Sequence, residues 1–441
     1  MIDPGLAVGI SIVLVLFLLS FGLPVYASLG ITGILGCMAI KGPHMAFTQL
    51  KVFPYANTAN YLLVVVPLFI IMGHFAFRAG ISRDAYTIGR KWLSRFPAGI
   101  GMATIIGCAG FAACSGSSVA TAATMGAIAI PEMLELGYDR KIAAGIVAAG
   151  GTLGILIPPS VILVFYGSIT DTSVGALLVA GFIPGILSII IYLLGLLFLG
   201  WLDPALTPAP HSVPWLERFR SLKGAWGIGL LFSVVIGGLY MGWFTPTEAA
   251  ATGAFFALIM MLVRRKEVTK LSASLKGCFS DTLRTTCMVF LVLIGAGLYS
   301  FFLTLAQVPQ GLSNWVATLP LPPYLIVGLF LIFLIPLGMF LDSFSVLVIS
   351  LPIVFPVVVN HLGYDPIWFG ILCTKLCEFG LITPPVGLNV YVLSSVRRDI
   401  PLTDIFRGCL WFLLFDVVTI ALLWLFPIIS TWLPSTMYTW K

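Results

Sequence analysis

Charge is what this sequence has least of. Of its 441 residues only 9% are Asp, Glu, Lys or Arg, against 59% hydrophobic, where a soluble domain carries about 25% charged residues. So few charges cannot cover a water-facing surface, which leaves lipid as the solvent. Histidine is scarce too: the four present are scattered and build no metal-ligand cluster. The eight cysteines lie mostly inside apolar segments. Cys373 and Cys377 share a helical face, but buried thiols there behave as small hydrophobes, with no metal or redox role. No GxxxxGK[ST] phosphate loop occurs, nor any polar domain to house one. Work must therefore come from an ion gradient. The net charge of +6 resides in loops, and nucleic acid has no place in the account.

What the chain does have is long apolar runs. GLAVGISIVLVLFLLSFGL and WGIGLLFSVVIGGLYMGW each approach the roughly 20 residues that span a bilayer. The first follows only Met1 to Pro4, with no basic segment and no small-residue cleavage site, and reads as a retained helix.

The chain also repeats itself. Leu136-Gly137-Tyr138-Asp139 recurs as Leu362-Gly363-Tyr364-Asp365, an offset of 226 (362 minus 136). At that offset Gly154 meets Gly380, and Pro158-Pro159 meets Pro384-Pro385. Two halves follow, 1–202 and 224–441, joined by a polar linker at 203–223. Lysine and arginine set orientation. Arg78, Arg83, Arg90, Lys91 and Arg95 put 78–95 in the cytoplasm, and its counterpart AQVPQGLSNWVATLP carries no basic residue. Conversely, Arg397, Arg398 and Arg407 match a bare stretch around Ile169-Thr170-Asp171. The linker and RRKEVTK at 264–270 fall on the cytoplasmic side as well. The bias flips between halves, so the repeats are expected to be inverted.

The expected fold is an all-α integral membrane protein with about ten transmembrane helices, two re-entrant helical hairpins and two broken helices. The hairpins fall at about 98–135 and 322–360, the broken helices at about 141–170 and 366–396. Proline lacks an N–H and clashes with the preceding turn, so each Pro-Pro pair should split a helix. Non-helical backbone at membrane depth survives only where protein or a water-filled cavity satisfies it. Two tips and two breaks would therefore meet near the midplane, as in secondary transporters, where helix N-termini hold anions and carbonyls hold Na⁺.

The first tip, Ser115, Gly116, Ser117 and Ser118, offers three hydroxyls and a permissive glycine; small residues also serve ordinary helix contacts. Asp342, at the matching second tip, is an expensive intramembrane carboxylate and a candidate cation ligand. The breaks add Gly154, Pro159, Gly380, Thr383, Pro385 and Asn389. Lys375 and Glu378, one turn apart, are either a compensated pair or part of the site. Asp416 and His74 read as packed polar groups, and Glu248 as a favourable charge at a helix start.

At these residues the sequence resembles the large membrane subunit of TRAP (tripartite ATP-independent periplasmic) transporters. The likeness rests on FAACSGSSVATAATMGAIAIPEMLELGYDRKIAAGI, GILIPPSVILVFYG, FTPTEAAATGA and GYDPIWFGILCTKLCEFGLITPPVGLNVYV, which cover both halves. The resemblance implies an ion-transporter-superfamily fold working as an elevator in the bacterial inner membrane; the alternation of basic loops puts both termini in the periplasm. The resemblance also implies Na⁺ as coupling ion and no cofactor, a separate small membrane subunit and a periplasmic solute-binding protein. The substrate would be a carboxylate: a C4-dicarboxylate, a sialic acid or another sugar acid. Carried onto this chain, Ser115, Gly116, Ser117, Ser118, Asp342, Gly380 and Thr383 would serve Na⁺. The residues read on their own add a hypothesised anion set of Ser118, Gly154, Pro159, Pro385, Asn389 and Lys375. No four-helix small-subunit segment precedes Asp3, so that subunit is expected to be a second polypeptide. Two rivals are a self-sufficient sodium–dicarboxylate symporter of the same superfamily and, remotely, an intramembrane enzyme using Lys375 with a hairpin serine.

Overall fold

The structure is a computed structural model that describes residues 3–203, 213–264 and 271–437. Residues 204–212 of the expected linker and 265–270 of the basic stretch lie outside them. Among the described residues every regular element is a helix.

The chain opens with α1 (Pro4–Ser20), α2 (Val25–Lys41) and α3 (Pro43–Thr58). After a short 3₁₀ turn come α4 (Val65–Arg78) and α5 (Ile81–Leu93). Next are α6 (Gly99–Ser115) and α7 (Ser118–Glu135), then α8 (Arg140–Leu156) and α9 (Val161–Thr170). The first half closes with α10 (Val174–Ala180) and α11 (Phe182–Leu202).

Within the expected linker lies α12 (Trp215–Ser221); the stretch from 224 onward begins with α13 (Trp226–Phe232), which passes through a π-helical turn into α14 (Gly238–Tyr240). It continues with α15 (Pro246–Val263), α16 (Leu271–Leu305) and α17 (Val308–Thr318). Then come α18 (Pro323–Phe340) and α19 (Ser343–Phe355), α20 (Pro366–Ile382) and α21 (Leu388–Val396), and finally α22 (Leu402–Leu425) and α23 (Ile428–Ser435).

Among the described residues seven helices are long and apolar enough to cross a membrane, or nine if each of two bent pairs counts as one span. That is fewer than the ten expected. The apolar α1 and α2 have 17 residues each, about 26 Å at ~1.5 Å per residue, just short of a ~30 Å hydrocarbon core. One bent pair is α8 with α9, at 43° across Pro158-Pro159. The other, Trp215–Gly224 with Trp226–Tyr240, has no proline at its break and was not anticipated. The 35-residue α16 is about 52 Å long, so its N-terminal turns reach past the apolar layer.

The repeated LGYD turns out to be helix punctuation. Gly137 and Gly363 take left-handed φ of +88° and +75°, which glycine adopts without a Cβ penalty. The Tyr138 N–H then closes the preceding helix on the Met133 carbonyl at 3.0 Å. Asp139 caps α8 by accepting from the Lys141 and Ile142 N–H groups. Asp365 caps α20 through Ile367 and Trp368 in the same way. Each such cap contributes about 1 kcal/mol. Similarly, Thr245 and Glu248 form a capping box at the start of α15, which accounts for Glu248.

α6 and α7 run antiparallel: Ser115 pairs with Thr121 near the turn and Thr104 with Met133 at the far end. The two breaks are packed onto the two turns. A Cβ at Gly154 would meet the Ser117 backbone, and one at Gly380 would come within 2.6 Å of Gly338. Asn389 on α21 donates to the Ala148 carbonyl of α8 at 3.2 Å, joining the broken helices of the two halves.

Candidate functional site

The turns and breaks in these helices surround one cavity of about 280 Å³. Ser118, Val161, Ser343 and Leu388 all line it, and they open α7, α9, α19 and α21. Four helix N-termini thus face one space. Their first-turn N–H groups have no intrahelical partner and carry partial positive charge, so each favours an anion. The C-terminal turns of α6, α8 and α20 reach the same space through Ser115, Ile155 and Leu381. The carbonyls of such turns favour a cation.

Local sequence explains why helices start there. Ser117 caps α7 by accepting from the Ala120 N–H at 3.3 Å. Ser160 caps α9 through the Leu163 N–H at 3.2 Å while donating to the Ile155 carbonyl that ends α8. Asp342 caps α19, accepting from the Ser345 N–H at 3.1 Å and its hydroxyl at 2.6 Å. Gly387 precedes α21 at φ +58° and donates to the Met339 carbonyl at 3.1 Å.

Of the residues expected to hold Na⁺, Ser115, Gly116, Ser117, Ser118 and Asp342 line the cavity. Gly116 has φ +58° and lies against the Pro159 carbonyl. The Ser118 and Ser343 hydroxyls are buried without a hydrogen-bond partner, a state costing about 1–3 kcal/mol. A ligand oxygen in the cavity would relieve it. Among the described residues no group of three His, Cys, Asp or Glu could hold a metal ion. Any cation here would rest on the Asp342 and Asp281 carboxylates, hydroxyls and carbonyls, an all-oxygen donor set suited to a hard ion.

The remaining candidates stand back from the wall. Gly154 and Pro159 support the first turn from behind, and Gly380 packs on Gly338. Thr383 donates to the Phe379 carbonyl at 2.5 Å, and Pro385 is exposed and does not line this cavity. Asn389 is fully buried between α21 and α8.

Lys375 requires a correction. Its ammonium lies 2.9 Å from Glu378 and 2.8 Å from Asp416, with all three side chains fully buried. The Tyr192 hydroxyl donates to the same Asp416 oxygen at 2.8 Å. Lys375 is therefore held inside the helix packing and is not a cavity residue. Asp416, read as a packed polar group, is its countercharge. A Ser–Lys catalytic pair does not form.

Sequence reasoning missed the opposite wall. His74 and Arg78 of α4, and Asp281 and Thr285 of α16, also line the cavity. Each pair is one turn apart, so a scan for polar residues at i and i+4 within apolar helices would have found them. The sequence alone reads His74 as a packed polar group and Arg78 as loop charge.

The family model described as "Tripartite ATP-independent periplasmic transporter, DctM component" matches residues 12–429. The chain is 36% identical over 410 residues to the C4-dicarboxylate TRAP transporter large permease protein DctM of Pseudomonas aeruginosa, covering 92% of this chain and 94% of that one. It is 34% identical over 382 residues to the sialic acid TRAP transporter large permease protein SiaM of Vibrio cholerae, covering 85% and 87%. Among solved structures, the fold is similar to the Alcanivorax borkumensis YdaH transporter. That match has a TM-score of 0.65 at 15% identity and covers 87% of this chain and 89% of that one.

Proposed function

The chain belongs to the DctM-component family of TRAP transporters, and from that premise we propose that it imports a small organic anion on a sodium gradient, as the large permease subunit of its transporter. It is a multi-pass membrane transport protein and not an enzyme. The observation that carries the proposal is the meeting of four helix N-termini with two unpartnered serine hydroxyls at one cavity. That wall suits a carboxylate. Asp342 and the helix C-termini beside it suit Na⁺, whose charge offsets that of the anion. A volume of about 280 Å³ lies at the small end of ligand pockets. Substrates in keeping with the relatives are C4-dicarboxylates and sialic acids.

The moving body comprises α6–α9, α11 and α18–α22, working as an elevator against a scaffold that includes α4 and α16. Support comes from the buried Lys375–Glu378–Asp416–Tyr192 cluster, which links α11, α20 and α22, and from the Asn389–Ala148 bond, which links α21 to α8. The exposed lining residues, Arg78 and Asp281, mark the open end of the cavity. By the positive-inside rule that end faces the cytoplasm. Partners are a small membrane subunit and a periplasmic binding protein docking around 41–60, 306–322 and 360–366, with the complex in the bacterial inner membrane.

The test is reconstitution of the chain with its small subunit and binding protein. Succinate and sialic acid serve as probes, with an inward Na⁺ gradient and no ATP. Accumulation that needs both the gradient and the binding protein is the expected result. Uptake without a Na⁺ gradient would remove the coupling. Strong saturable uptake without the binding protein would make the chain a self-sufficient symporter.

A further inference from the structure

Resting on the anion-transport reading, we propose that Arg78 forms a second anion-binding position. It stands on the wall opposite the helix N-termini and receives the carboxylate or sulfonate group as it moves toward the open end of the cavity.

α4 faces the cavity through Ile70, Gly73, His74, Phe77 and Arg78, a single stripe at helical spacing. The stripe passes from buried Ile70 to exposed Arg78, whose guanidinium reaches toward α16, where a Cβ at Gly277 would come within 3.0 Å of it. Several basic residues of the same side are engaged, while Arg83 of the same segment stays off this cavity. Arg90 pairs with Glu132 at 2.6 Å, Lys91 with Glu217 at 3.6 Å and Arg264 with Asp84 at 2.5 Å. Arg95 lies over the Phe96 and Trp215 rings. Among the described residues no carboxylate comes within ion-pair distance of Arg78.

An arginine kept only to complement the C-terminus of its helix could project into bulk solvent or headgroups. This one lines the same cavity as Ser115–Ser118 and Asp342. A guanidinium offers a planar fork that matches a carboxylate or sulfonate. An anion leaving the N-termini must also pass two like charges, Asp342 and Asp281, on the same walls. Arg78 supplies the opposing attraction. The position belongs to helices outside the proposed moving body, so it would remain in place while the first site travels.

The experiment reads local charge directly, without transport. In a cysteine-free background Thr285→Cys, on the facing helix, is labelled with an anionic sulfonate and a cationic ammonium methanethiosulfonate reagent of similar size. We expect Arg78→Gln to lower the anionic-to-cationic rate ratio roughly tenfold, as removal of a nearby unit charge in a partly desolvated cavity should. Arg78→Lys should keep most of the ratio. Arg83→Gln, on the same basic segment but off the cavity, should leave it unchanged. An unchanged ratio in Arg78→Gln overturns the proposal, and so does an equal fall in Arg83→Gln, which would mean a diffuse field. Should Arg78→Gln not fold, Arg78→Met is read in its place. A failure of the transport reading shows separately, as wild-type complex that accumulates no carboxylate while the labelling ratio stands.

Discussion

At Lys375 one ammonium faces two carboxyl groups in a space closed to water, so removing the lysine leaves both without a countercharge. Removing one partner of a buried ion pair leaves an uncompensated charge and costs about 3–5 kcal/mol. Lys375→Met faces Glu378 with Asp416 and should lower melting of the purified protein sharply. The triple change Lys375→Met, Glu378→Gln, Asp416→Asn removes the charges together and should recover most of the loss, read by elution profile after heating. Asp342 separates charge from capping. Asn caps helices about as well as Asp, so Asp342→Asn should preserve the start of α19 while removing the carboxylate. The expected outcome is unchanged expression with a raised half-saturating Na⁺ concentration for uptake. An unaltered sodium titration would take Asp342 out of the site. Its chemistry was legible in sequence because a carboxylate inside an apolar run is conspicuous. The isolation of Lys375 was not, because its partner Asp416 lies on another helix.

At the scale of elements, the breaks are held by backbone meeting backbone. Gly380 on α20 crosses Gly338 on α18 so closely that a Cβ would sit 2.6 Å from main-chain atoms, and main chain cannot rotate aside. Gly380→Val should separate the second break from its turn and cost more than the ~1–3 kcal/mol usual for overpacking. Gly229→Ala is the control, since nothing lies within 4 Å of its Cβ position and alanine favours helix over glycine. Thermal stability of the two variants side by side checks this; equal stability would mean that the crossing can relax. The proline pairs gave the breaks away in sequence, whereas LGYD showed itself there as a repeat and only the structure revealed its glycine and aspartate as helix punctuation. The bend between α12 and α13 has no such marker, and for that reason went unread.

For the whole molecule, the facing of the cavity follows from how basic residues are distributed. Basic residues gather on one side in the proposed topology, with 223 in the cytoplasm and 314 outside. Lys223→Cys should therefore resist an impermeant thiol reagent in intact cells, whereas Asn314→Cys should react. Labelling of both from the same side would end the inverted-repeat reading and the inward-facing assignment with it. The same result would leave the cavity and its four helix N-termini as they are, because their geometry does not depend on the membrane.

Composition by itself determined that lipid is the solvent, since a chain with 9% charged residues has no other way to satisfy its surface. Pattern determined where helices stop: proline, glycine and aspartate act on their own backbone within a turn or two, so their effect is written locally. Which polar groups face one another was decided only by tertiary structure. Arg78 and Asp342 are far apart in the chain, yet both line one cavity, whereas Lys375 lies on the broken helix itself and is buried away from that wall. Contacts between distant segments depend on how helices pack, and helical periodicity fixes a residue's face without naming what that face will meet.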